Sequence, residues 1–246
     1  MRGYTTLTTA LFRSQLREPV GFFFLIVFSP LLLLLLGFIF GNEPAPEFGG
    51  RGFIDSLVPG LVTMSVLIVG TSVIPGAQTH LRTSGALTRL RMTPLTPATF
   101  FAADITVNFL TALIGPILTV LTAVVVFGVD LPQNPIGLLA ALALGLLAML
   151  ALGYTLGSIL PSVGAATGIG NLLMIILMLT SGAFVPVALL DDSIRRIFHL
   201  SPSFHLADLV SRSWVGEPWA WTPVAVLAGM AVILGAVALL LARRRW

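Results

Sequence analysis

The sequence contains no cysteine and no lysine. Without thiols there is no disulfide, no thiolate metal site and no redox pair. Without lysine, a phosphate-binding P-loop of the usual form lacks its basic residue, so any ATP used with this chain must be hydrolysed by a partner. Charge is scarce: 9% of the 246 residues are Asp, Glu, Lys or Arg, where a soluble domain carries about 25%. The HExxH metal motif and the GxSxG nucleophile elbow are also missing. The three histidines are His80, His199 and His205, and the last two lie six apart around Pro202, a poor spacing for metal ligands. These absences predict no catalytic residue, no metal and no cofactor in this chain.

What the chain has is apolar length. Hydrophobic residues make up 57% of it, gathered in blocks long enough for the roughly 20 residues that cross a bilayer as a helix. Six blocks are expected to span, at about 20–41, 56–76, 105–127 (starting earlier is also open), 136–160, 165–187 and 223–242. Helices are required because backbone polar groups in lipid must be satisfied within the segment. The short alternating segments of an outer-membrane barrel are absent. The first block is too long for the core of a cleaved leader and lacks a convincing small-x-small site, so it reads as retained.

Arginine placement sets the expected orientation. With the N-terminus inside, Arg2, Arg13, Arg17, Arg82, Arg89, Arg91, Arg243, Arg244 and Arg245 are cytoplasmic, and Arg51, Arg195, Arg196 and Arg212 face out. An even number of spans returns the basic tail to the same side, so both ends are expected in the cytoplasm. The all-arginine, Ala/Gly/Leu/Val-rich composition is associated with GC-rich bacterial genomes, an association rather than a physical argument, and the expected location is a bacterial plasma membrane.

The pieces between spans carry further signals. Before the first span, Tyr4, Leu7, Leu11 and Leu16 recur at roughly helical spacing while Arg13 and Arg17 share another face. This reads as an amphipathic helix in the inner membrane surface, ended by Pro19, or more plainly as a positive topological anchor. The longest cytoplasmic connection, around 78–97, alternates Leu87 and Leu90 with Arg89 and Arg91 and is bounded by Pro94 and Pro97. By composition alone it is an ordinary positive-inside loop. The fourth and fifth spans are joined by a turn at 161–164 and are therefore expected to be close neighbours, with Gly153, Gly157, Gly164 and Gly168 at small-xxx-small spacing. After the fifth span, two apolar pieces at 194–200 and 206–215, split by Pro202 and followed by Trp214, Trp219 and Trp221, are too short to cross and suit an outer re-entrant or surface segment.

No carboxylate, histidine or arginine sits near the middle of a span, where a charge costs at least about 2.5–3.5 kcal/mol and marks ion or proton pathways. Asp104 comes nearest, placed by the expected boundaries near the cytoplasmic end of the third span. Asn108, Tyr154 and Asn171 are polar points inside the bundle, candidates for a substrate path or for helix packing.

Two stretches carry a resemblance: the cytoplasmic run from Arg82 through Leu87, Arg89, Leu90 and Arg91 to Pro94, and the run 181–186 with Phe184 and Pro186, followed by Leu200-Ser201-Pro202. In order and placement against six spans they resemble the membrane subunits of type-2 ABC transporters, the daunorubicin-exporter-like permeases. The resemblance covers nearly the whole chain. It implies an all-α integral membrane protein: an interface helix at 1–19, a six-span domain at 20–242 and a basic tail at 243–246. It further implies that a loop at about 79–97 couples to a cytoplasmic ATPase, through Arg82, Leu87, Arg89, Leu90 and Arg91. The N-terminal helix, with Arg13, Arg17 and Glu18, lies at that interface. The outer segment at about 187–221, with Phe184, Pro186 and Pro202 near it, caps the exit.

The resemblance also implies a non-enzymatic half-transporter. Two ATP-binding subunits, which hold the ATP and magnesium, pair with two permeases, either two copies of this chain or one with a related permease. Membrane lipid is a further partner, and nucleic acid is not. The expected function is export of a lipophilic or amphiphilic substrate such as a drug, antibiotic, lipid or glycan-lipid. A non-transporting assembly or regulatory subunit, and an ion-coupled secondary transporter, remain the alternatives.

Overall fold

A computed structural model of the chain describes residues 2–17, 19–44, 50, 52–86, 92, 96–181 and 192–245. Every regular element among them is helical. Helix α1 is Arg2–Gln15. Helix α2 runs through Pro19–Phe22, a π-helical turn at Phe23–Val27, and Phe28–Phe40. Helix α3 runs through Phe53–Ile68, a second π-helical turn at Val69–Val73, and Ile74–Thr83. Then follow α4 (Pro97–Phe127), α5 (Pro135–Ile159), α6 (Val163–Thr180), α7 (Asp192–Leu200), α8 (Pro202–Val215) and α9 (Trp221–Arg245). Six helices, α2 to α6 and α9, are long and apolar enough to cross a bilayer.

Local chemistry explains the boundaries. Thr96 and Asn134 accept from the backbone N–H three residues on, each followed by a proline at the first helical position. That proline has no N–H to leave unsatisfied there. Ser162 caps α6 the same way, accepting from the Ala165 N–H. Helices α4 and α8 end on Gly128 (φ 67°) and Gly216 (φ 75°), left-handed positions that glycine takes without steric cost.

Helix α3 is the centre of the bundle. Most of it is buried, from Ile54 and Val58 through Leu61, Val66 and Ile68. Helices α2, α4, α5 and α6 all pack on it, while α9 lies mainly against α5. Lipid tails are as apolar as leucine, so no hydrophobic drive holds these helices together; close packing and hydrogen bonds must. The glycines show where packing is tightest. A Cβ on Gly153 or Gly157 of α5 would run into Ile74 or Gln78 of α3, and one on Gly170 of α6 would strike the Thr71 carbonyl.

This overturns one expectation. The fourth and fifth spans are joined by a short turn, yet contact between α5 and α6 is slight, and each instead packs on α3. Gly153 and Gly157 serve the α3 contact, whereas positions 164 and 168 face open space. A short connection fixes where the next helix starts, not which helix it leans on.

Helix α1 lies along α4. Tyr4, Leu7, Thr8, Leu11 and Gln15 form its half-buried stripe, while Arg13 and Arg17 are exposed, as the helical spacing predicted. Leu16 departs from the expected stripe: it falls just past the helix and is 50% exposed.

Candidate functional site

Asn42, just past α2, ties three helix ends together. Its side-chain amide faces Asp55 Oδ1 at 3.4 Å and the Phe127 carbonyl at 3.5 Å, and its carbonyl accepts from the Asp55 N–H at 3.2 Å. The ends of α2 and α4 and the start of α3 are thereby level. Yet α3 has 31 residues, about 46 Å at 1.5 Å per residue, against a hydrocarbon core of about 30 Å. Measured from these shared ends, α3 is longer than that core, and at its far end Thr83 leads into the arginine-rich connection to α4.

Arg82 sits in the last turn of α3. One guanidinium nitrogen donates to the Ser158 carbonyl at 2.6 Å and another to the Leu160 carbonyl. These are carbonyls at the C-terminal end of α5, which lack helical partners and carry the negative pole of the helix dipole. Arg82 thus clamps α3 to the end of α5. Thr79 Oγ1 reinforces the contact by donating to the Gly157 carbonyl at 3.3 Å.

One turn deeper lies a buried polar node. Asp104 of α4 is 6% exposed. It accepts from Tyr154 Oη of α5 at 2.7 Å, from Gln78 Nε2 of α3 at 2.7 Å, and from Asn108 Nδ2 at 3.2 Å. All three donors are neutral. Asn108 Nδ2 also reaches Tyr154 Oη at 3.2 Å, and Asn108 Oδ1 faces Gln15 Nε2 of α1 at 3.4 Å. Thr111 Oγ1 donates to Gln15 Oε1 at 3.2 Å, and Tyr4 Oη donates to Thr106 at 2.9 Å. One connected set of polar side chains therefore joins α1, α3, α4 and α5. It brings together Asn108 and Tyr154, which the sequence singled out, with Gln15 and Gln78, which it did not. Asp104 is more deeply enclosed than expected, because α4 begins at Pro97, well before the boundary that hydropathy drew.

Asn171 stands apart from the node. It is exposed on α6, and its Oδ1 accepts from Ser72 Oγ of the α3 π-turn at 3.1 Å. Beside the node, a cavity of about 310 Å³ opens between α3, α4, α5 and α9, with Gln78, Arg82, Tyr154 and Ser158 among its lining.

At the other end of the bundle, α7 and α8 form the short segment before α9. Helix α8 packs against α3, α5, α6 and α9, so it inserts among the spans rather than lying on them. Leu206 and Leu209 are fully buried, and Leu206 fills the space that glycine leaves at Gly145. Backbone bonds from Gln133 and Asn134 to the Trp214 and Ser213 carbonyls fasten its end. Pro202 opens α8, and Ser201, Ser203 and Thr180 share hydroxyl contacts of 2.7 to 3.2 Å beside it. His205 Nε2 lies 2.9 Å from the His199 carbonyl. The expected positions Glu18, Leu87, Arg89, Leu90, Arg91, Phe184 and Pro186 fall outside the described residues.

The chain matches the family model for the ABC-2 type transporter over residues 2–213, from α1 into α8. No curated protein matches it. The matched stretch holds α1, five of the six spanning helices, the Arg82 clamp and the polar node, and it shows that the chain belongs to the ABC-2 type transporter family as a multi-pass membrane permease subunit.

Proposed function

We propose that this permease is half of an ATP-driven exporter in the bacterial plasma membrane, carrying a lipophilic or amphiphilic substrate outward. The observation that carries this reading is the overhang. Helix α3 is about 16 Å longer than the hydrocarbon core is thick, and the surplus ends in Arg82 and the connection holding Leu87, Leu90, Arg89 and Arg91. A soluble subunit that closes on ATP can move membrane helices only through a protruding, gripped contact. The Arg82 clamp would pass such a movement to α5 as well as α3. Arginine forks can pair with partner carboxylates in two-point geometry, which sets orientation as well as position. Two ATP-binding subunits, holding ATP and magnesium, would serve two permeases.

The test is to co-purify the ATP-binding partner and measure export for Leu90→Asp and Arg89→Lys. Both keep the positive charge that sets topology. Leu90→Asp should uncouple hydrolysis from export, and Arg89→Lys should weaken it. If both variants hold the partner and export like the parent, the connection is not the coupling element.

Asp104 favours a second reading, ion-coupled transport, because it is a carboxylate enclosed within a spanning helix. Transport that continues without ATP, follows an ion gradient and is lost in Asp104→Asn would establish that reading instead.

A further inference from the structure

The cavity between α3, α4, α5 and α9 has a shape and a polarity that the export reading does not use. Its walls are hydrocarbon: Leu147 and Leu150 of α5, Ala231, Ala238 and Leu239 of α9. Polar groups gather at one end. There Ser158 and Arg82 line it, and Arg82 is held in place on the α5 carbonyls. Along α9 the lining runs from Ala231 to Ala242, roughly 16 Å at 1.5 Å per residue. That is about half of the 30 Å hydrocarbon core, the depth of one leaflet. The basic end of the cavity is also the arginine-rich end of the bundle. The opening is lateral: Leu147 is 46% exposed, Val232 71% and Leu239 52%.

We propose that this cavity is a binding site for one resident anionic phospholipid of the arginine-rich leaflet. An acyl chain lies along α9 and the phosphate sits near Arg82. The match is threefold. The cavity is as deep as one leaflet, apolar where the chain goes, and positive where the phosphate goes, and it opens to the lipid from which such a molecule would enter. Thr155 Oγ1 donates to the Leu234 carbonyl at 3.0 Å, tying α5 to α9 next to the lining residues Tyr154 and Gly235. The site depends only on membrane placement and not on how transport is driven.

Gly235 gives the means to test it. It lines the cavity, and a Cβ there would meet no atom within 4 Å. Gly235→Leu should therefore project into the cavity from an uncrowded Cβ, and leucine favours a helix over glycine. Gly229 also has open space but does not line the cavity, so Gly229→Leu is the control. The full permease, with its ATP-binding partner, would be placed in vesicles of phosphatidylglycerol and phosphatidylcholine. Each lipid would carry an acyl-chain diazirine in turn. Phosphatidylglycerol should label residues 147–158 and 231–242 in preference to phosphatidylcholine. Gly235→Leu should lower that labelling about tenfold, and Gly229→Leu should leave it unchanged.

Even labelling of these residues and of exposed Leu172 and Ile176 on α6 would mean annular lipid only and would overturn the site. So would equal labelling by the two lipids in the parent protein, a reading that needs no variant to fold. Loss of the label on ATP turnover would mean that the lipid is cargo, which overturns residence while leaving the export reading intact.

Discussion

Tyr154 of α5 donates its hydroxyl to the Asp104 carboxylate of α4 across 2.7 Å, and both residues are buried. Asn108 of α4 adds a second, longer contact to the same hydroxyl at 3.2 Å, and Asp104 relies on neutral donors. Tyr154→Phe removes one donor while keeping the ring, so it should cost about 1–2 kcal/mol, the upper range of hydrogen bonds between membrane helices. Combined with Asp104→Asn, which keeps the shape, it should give non-additive effects in a double-mutant cycle. Unfolding in mixed micelles would measure both. Additive effects of the two changes would show that the node is not energetically connected.

Gly170 and Gly168 lie on the same helix and should respond oppositely. A Cβ on Gly170 would collide with the Thr71 carbonyl in the π-turn of α3, whereas Gly168 faces open space. Backbone cannot move aside as a flexible side chain can. Gly170→Ala should destabilise by about 1–3 kcal/mol, as overpacked sites do, and Gly168→Ala should be neutral or slightly stabilising. Equal thermal midpoints for the two variants in detergent would show that α6 does not pack on α3 as described.

The spans were legible because length and hydropathy decide what crosses a bilayer. Their neighbours were not. A helix that is apolar all round carries no stripe to say which side faces protein, so the sequential proximity of Gly157 and Gly164 pointed to the wrong pairing. Asn108 and Tyr154 stood out as polar residues in apolar runs, but Gln78 and Gln15 lay in segments where polarity is ordinary. Arg82 was legible as a topological charge. The two carbonyls it clamps were not, because every residue has a backbone carbonyl.

Helix α8 should behave as part of the core. Leu206 is fully buried and fills the space opposite Gly145 of α5. Leu206→Ala leaves that space empty, so a loss of about 2–5 kcal/mol is expected. Ile197 on α7 is 59% exposed, and Ile197→Ala should change stability little. Chemical unfolding followed by tryptophan fluorescence, to which Trp214, buried on α8, contributes, reports on this segment. A small effect of Leu206→Ala would mean that α8 rests on the bundle without being built into it.

Arg82 should matter through its fork more than through its charge. Its guanidinium reaches two different carbonyls at the end of α5, those of Ser158 and Leu160. Lysine supplies the same charge from a single nitrogen and cannot reproduce the planar two-point contact. Arg82→Lys keeps the positive charge that orients the protein, so it should insert normally. It should nevertheless loosen the end of α5, with faster amide exchange at residues 158–160 and 82–84. Arg82→Ala removes the bonds and leaves the Ser158 and Leu160 carbonyls without these donors, at about 1–3 kcal/mol. The two variants separate a topological role from a mechanical one. If Arg82→Lys matches the parent in exchange and in partner-stimulated transport while Arg82→Ala fails, charge alone is sufficient. If Arg82→Lys retains the partner but loses transport in step with the loosening of α5, the clamp is what carries motion from α3 into the bundle.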